Sequence, residues 1–131
     1  MWKIVAPLLI LSTPSFAQTT IKPTATVSIP ITISTATTTR LILGVSGQRI
    51  YVTAVDVIAA GTGSIQFVYG TGATCGTGQQ NVTGNYALIA QVGFTKGTGV
   101  GPVWIIPPGN SLCAVTSANV GYPGSLSYAQ F

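Results

Sequence analysis

RIYVTAVDVIAAGTGSIQFVYG, residues 49–70, decides the fold class. The first eleven residues are dense in Val, Ile and Tyr, the composition of a strand. Gly61-Thr62-Gly63 supplies a turn, and SIQFVYG resumes with period two. There Ile65, Phe67 and Tyr69 share a face opposite Ser64 and Gln66, which is the pattern of a half-buried strand. The first strand lacks that contrast. Tyr51, Val55 and Val57 fall on one side and Ile50, Val52, Ala54 and Ile58 on the other. A sandwich strand that is apolar on both sides needs cover on its outer face, from an N-terminal arm or from a neighbouring subunit.

Upstream, TATVSIPITIS alternates strictly. Ala25, Val27, Ile29, Ile31 and Ile33 form the apolar face, and Pro30, on the polar face, places the strand at a sheet edge or leaves it paired on one side only near that residue, because proline has no N–H for a ladder. All 16 glycines fall at or after Gly44, so a Thr-rich, glycine-free segment precedes a glycine-rich body. That body reads as short strands at spacings of about ten residues, with turns at GTG, PPGN and NVGYPG and a long loop over 69–84. No amphipathic helical stretch interrupts them. The expectation is an all-β, antiparallel β-sandwich, jelly-roll-like, of about eight strands. An extended strand or arm over 18–37 would precede a sandwich domain over 38–131.

The first 17 residues have the form of a signal peptide. One Lys precedes the apolar run IVAPLLIL (4–11), and Ser15 and Ala17 occupy the positions that signal peptidase reads. Cleavage is expected after Ala17; the alternative is a buried N-terminal arm. The run is shorter than the ~20 residues of a membrane-spanning helix, so no stable membrane span is expected. Two cysteines in an exported chain, Cys75 and Cys113, make either one disulfide, which stabilises by roughly 4 kcal/mol on the chain-entropy model, or two buried thiols.

The 131 residues include one acid, five bases and no histidine. With Asp56 the only carboxylate side chain, the chain lacks a carboxylate pair, a Ser-His-Asp or Cys-His arrangement and a His/Asp/Glu metal cluster. No catalytic residue, metal ligand or cofactor is assigned. Lys22, Arg40, Arg49 and Lys96 are scattered, no two closer than nine positions, which argues against nucleic acid as a partner. Asp56 is expected to pair with Arg40 or Arg49. The four GTG triplets lack the context of a phosphate loop and read as turns, and so does the glycosylation-type pattern Asn81-Val82-Thr83. Tyr86, Trp104 and Tyr122 are candidate glycan contacts, because aromatic faces stack on sugar rings and lectin domains use sandwiches of this kind. High apolar content, 47%, with so little charge favours self-association.

YGTG-x2-CGTG (69–78), P-x-GN-x-LC (107–113) and the terminal SYAQF (127–131) carry a resemblance. Over about residues 38–131 the chain resembles a group of small all-β proteins encoded in tailed-phage genomes and prophages. The resemblance implies a virion-associated or secreted sandwich, of the capsid-decoration, fibre or tail-accessory type, and carries over no catalytic residue. The expected function is therefore a non-enzymatic structural protein at an extracellular or virion surface. Its partners would be further copies of itself and a capsid or tail protein, with the strand from Ala25 to Ile33 serving assembly. A secreted glycan-binding module is the alternative.

Overall fold

A computed structural model describes residues 26–98 and 101–131. The expectations for residues 1–17, Lys22 and Ala25 lie outside the described residues. Ten strands follow in chain order: β1 (Val27–Ile33), β2 (Thr38–Ile42), β3 (Ile50–Ile58), β4 (Gly63–Thr71), β5 (Thr77–Asn81), β6 (Tyr86–Leu88), β7 (Gly93–Lys96), β8 (Trp104–Ile106), β9 (Ser111–Thr116) and β10 (Tyr122–Gln130). They form two five-stranded antiparallel sheets facing each other as a β-sandwich. Sheet A runs β1-β10-β3-β7, with β8 also on β3; sheet B runs β2-β9-β4-β5, with β6 also on β4.

The expectation of about eight strands becomes ten because two outer lanes are broken. β7 pairs Val55–Ile58 and β8 pairs Ile50–Val52, so both lie along one side of β3. β5 pairs the end of β4 and β6 its beginning. The break between β5 and β6 is organised by Phe67, whose carbonyl accepts from Val82 N and Thr83 N at 2.9 and 3.2 Å. The buried Thr83 hydroxyl in turn accepts from Phe67 N at 3.1 Å. The expected loop over 69–84 therefore contains a strand, and the stretch that follows it carries two short ones, β6 and β7. Between them, at Ile89–Val92, the chain turns with Gln91 at φ 63° and passes from sheet B to sheet A.

The two-sided pattern of β3 has a local cause. Ser127 pairs with Ala54 but Tyr128 pairs with Val52, which leaves Thr53 without a partner on β10. This β-bulge shifts side-chain alternation by one residue. Ile50 and Val52 before it and Val55 and Val57 after it consequently all face the core and are fully buried. Only Tyr51, Ala54, Asp56 and Ile58 remain outside. The expected cover for an apolar outer face is not required by this strand. Thr53 Oγ1 donates to Ser127 O at 3.1 Å. Gly97, at φ 81°, lets the chain after β7 approach so closely that a Cβ there would lie 2.2 Å from Thr53 O.

The core fills the space between the sheets, with Ile31, Ile33, Phe67, Leu112, Tyr122 and Leu126 among its members. Each large aliphatic or aromatic side chain so buried contributes roughly 1.5–3 kcal/mol. β1 is thus part of the sandwich rather than an arm outside it. It pairs with β10 along its whole length, from Val27↔Tyr128 to Ile33↔Tyr122. Pro30 lies on this strand at the edge of sheet A, where one missing N–H is tolerated. The crossing from β1 to β2 is tied down by the buried Thr116: its hydroxyl donates toward Thr35 O (2.7 Å) and Thr37 O (3.1 Å) and accepts from Thr37 N (3.2 Å). Thr116→Val keeps the volume and removes these bonds. It is expected to lower unfolding stability by about 1–2 kcal/mol in denaturant titration; an unchanged midpoint would show that water replaces the hydroxyl at no cost.

Candidate interaction surfaces

The cysteines are joined, with Cα atoms 6.2 Å apart. Cys113 lies on the outer face of sheet B, in register with Val68 of β4 and Arg40 of β2. Cys75, in the left-handed region at φ 56°, sits in the β4–β5 connection. The bond straps that connection over the sheet and creates a second small core of Val68, Cys75 and Cys113, flanked by Val115. Both cysteines are fully buried, which gives the bond a structural place rather than an accessible one.

Two of the candidate glycan contacts converge and the third does not. Tyr86 on β6 stacks on Phe94 of β7, ring centroids 4.4 Å apart, and Lys96 Nζ lies over the Tyr86 ring at 5.8 Å. Trp104 on β8 tilts against Phe67 at 4.9 Å, and Phe94 meets the same Phe67 edge-on at 6.2 Å. These rings close one open side of the sandwich, where β6 of sheet B faces β7 and β8 of sheet A. Tyr86 thus has one face stacked on Phe94 and a cation near its ring, and the stacked face is closed to a sugar ring. Tyr122 is buried in the core, and its hydroxyl has no hydrogen-bond partner. It offers nothing to a ligand arriving from solvent.

The proposed assembly strand is also spent internally. Ile31 and Ile33 are buried and Ile29 is half-buried against the core, whereas Val27, toward the strand start, is half exposed. Asp56 does not form the expected ion pair. Ser125 Oγ donates to its carboxylate. Arg40 lies in the other sheet, and Arg49 is about 20 Å away along β3 at ~3.3 Å per residue. In the Asn81-Val82-Thr83 pattern, Asn81 is exposed at the end of β5 while Thr83 anchors the turn.

Sequence reasoning missed the exposed apolar residues, which gather at the two ends of β3. At its start, the Tyr51 ring stacks on Phe131 at 4.6 Å, and Tyr51 is in register with Ile105 of β8. Arg49 and Phe131 exchange two backbone hydrogen bonds that prolong the β3–β10 ladder. Leu43 and Val45 are exposed in the connection that leads into this end. At the far end, exposed Ile58 neighbours the Ile89–Val92 turn, where Val92 O accepts from Ala59 N at 3.0 Å. Phe131, 52% exposed, is the most exposed aromatic residue among those described. VWII reads as core, and no sequence signal separates Ile105, which points out, from Trp104 and Ile106, which point in. No protein family, curated protein or solved structure matches the chain.

Two outcomes test this description. Replacing Cys75 and Cys113 together by Ala is expected to lower stability by roughly 3–4 kcal/mol in guanidinium unfolding, given the 38-residue separation. A cost below about 1 kcal/mol would mean that the strap is held by packing alone. Tyr122→Phe removes an unpaired buried hydroxyl and is expected to match or exceed wild-type stability, by up to about 1 kcal/mol. A clear loss of stability would reveal a buried water bonded to that hydroxyl.

Proposed function

We propose that the chain is a non-enzymatic structural protein of a phage particle or cell exterior, of the decoration, fibre or tail-accessory type, working through the outer faces of a jelly-roll-like sandwich. One observation carries the reading: the large apolar side chains left exposed are, Phe131 apart, aliphatic, and most lie near the two ends of β3, while Tyr86, Phe94 and Trp104 pack against one another and Phe67. Clustered exposed aliphatics mark protein contacts, whereas sugar binding calls for open aromatic faces.

The strand order supports the jelly-roll description. Counting the broken lanes as one each, the chain changes sheet at every step except from β4 to the β5/β6 lane, which pairs with it in sheet B, and its last two lanes return between early ones, β9 between β2 and β4 and β10 between β1 and β3. A Greek-key return of this kind, duplicated in two packed sheets, is the jelly-roll plan. The disulfide fits an oxidising compartment, and the signal-like residues 1–17 fit export with removal after Ala17. The Cys-containing motifs, through their phage resemblance, point to a particle surface. The low charge, five bases and one acid in 131 residues, leaves nucleic acid an unsuitable partner. For a secreted glycan-binding module there remain Tyr86 and Trp104 on one side of the sandwich, but Phe94 and Phe67 already pack against these two rings.

The test is expression of the full chain in a secreting bacterial host, followed by fractionation and intact mass. The expected product is found outside the cytoplasm, begins at Gln18 and is about two daltons lighter than the dithiol, the mass of the two hydrogens lost in one disulfide. A full-length reduced chain confined to the cytoplasm would overturn the exterior location.

A further inference from the structure

The outer face of sheet A carries four successive rows of side chains, fixed by register. Arg49 lies beside Phe131 in the first. Tyr51, Ala129 and Ile105 form the second, and Ala54, Ser127 and Ser28 the third. Asp56, Ser125, Pro30 and Thr95 form the fourth. The order is thus positive, bulky, small, negative. Asp56 is the only acidic side chain of the sequence, and it stands on the same face as an exposed arginine that directly precedes its strand.

From this we propose that the outer face of sheet A binds a second copy of the chain about a two-fold axis, with Arg49 of each copy on Asp56 of the other. The proposal rests on the structural reading above and names its partner and face. An axis parallel to the sheet, crossing the strands between the second and third rows, exchanges the first row with the fourth and the second with the third. Arg49 then opposes Asp56 of the second copy, twice, and the Tyr51–Ile105 row seats on the small Ala54–Ser127 row. Phe131 falls over Ser125 of the other copy. Charge and shape are therefore both self-complementary, as an isologous contact requires.

The dimensions suffice. β3 is about 30 Å long and four lanes span about 19 Å, a projected face of the order of 600 Å² before side-chain relief. A specific pair needs at least roughly 500 Å² of accessible surface per partner, with about 800 Å² typical. Aligned sheets pack about 10 Å apart, a gap that Tyr51, Phe131 and Ile105 fill. Sheet B offers no equivalent face, because the disulfide strap covers its Val68–Cys113 region.

A charge swap tests the contact. Molar mass by light scattering over a concentration series is expected to give two chains for the wild type. Arg49→Asp and Asp56→Arg, each alone, should weaken the pair at least tenfold, and the double variant should restore it. Within one chain the two groups are about 20 Å apart, beyond the ~10 Å screening length at 0.1 M salt, so rescue reports a contact between chains. Ile105→Asp, at an exposed position that leaves the fold intact, should also give single chains. A monomeric wild type would overturn the dimer and leave the structural reading with a different protein as partner. An oligomer indifferent to all these variants would overturn this face and leave self-assembly standing. Loss of exterior location, by contrast, would sink the reading itself.

Discussion

The unpaired Thr53 sets which side chains β3 sends to the core, and most of the sandwich depends on that strand. β3 sits centrally in sheet A, with β10 on one side and β7 and β8 on the other. Without the extra residue, alternation would continue unbroken from Ile50, and Val55 and Val57 would face solvent. The bulge puts both ends of the strand to work in one core, at the cost of one interrupted ladder position. That position is partly compensated by the Thr53 hydroxyl on Ser127 O and by Val103 N, which donates to the neighbouring Val52 O at 2.7 Å. The glycine at 97 is the necessary counterpart, since any side chain there would meet the bulged carbonyl.

The fold class was legible because its signals are local and redundant. The alternation of SIQFVYG and VSIPITI predicts which residues face in, and Ile31, Ile33, Ile65 and Phe67 are buried accordingly. Pro30 predicts an edge, and β1 is one. What the sequence could not convey was the parity shift inside RIYVTAVDVIA. A two-sided apolar strand and a bulged one-sided strand have the same composition, and only the partner strand decides between them. Short strands were illegible for a related reason: three residues, as in β6 and β8, give too few alternations to fix a face. Thr77–Asn81 carries no apolar residue at all, and it is a strand only because β4 offers it an edge.

The candidate surfaces were less legible than the fold. Cys75 and Cys113 could be paired by count alone, because the chain has no other cysteine. The aromatics could not be placed, since ring exposure depends on contacts between strands distant in sequence: Tyr86 with Phe94, Trp104 with Phe67, Tyr51 with Phe131. The last of these joins residues 80 apart in sequence, and it makes the apolar cluster on sheet A. The ion pair expected from sequence failed on distance. Asp56 lies on β3 and Arg49 directly before it, too far apart along the chain to meet.

The edges of the sheets argue that association occurs through a face. An exposed strand edge recruits another strand unless it is blunted by proline, charge, irregularity or shortness. β1 carries Pro30. β2 carries Arg40 and an irregular register between Arg40 and Ile42. β5 contains Gly78 at φ 62° and an irregular register against Tyr69 and Thr71. β7 and β8 are four and three residues long, with Lys96 on the first and Pro107 directly after the second. Strand addition is therefore discouraged at each of these edges. The same molecule leaves Tyr51, Ile105 and Phe131 uncovered on a broad sheet face, between its only acidic side chain and an arginine. A chain with so few charges that sets two opposite ones at matched distances from one line across that face has the arrangement a two-fold contact needs.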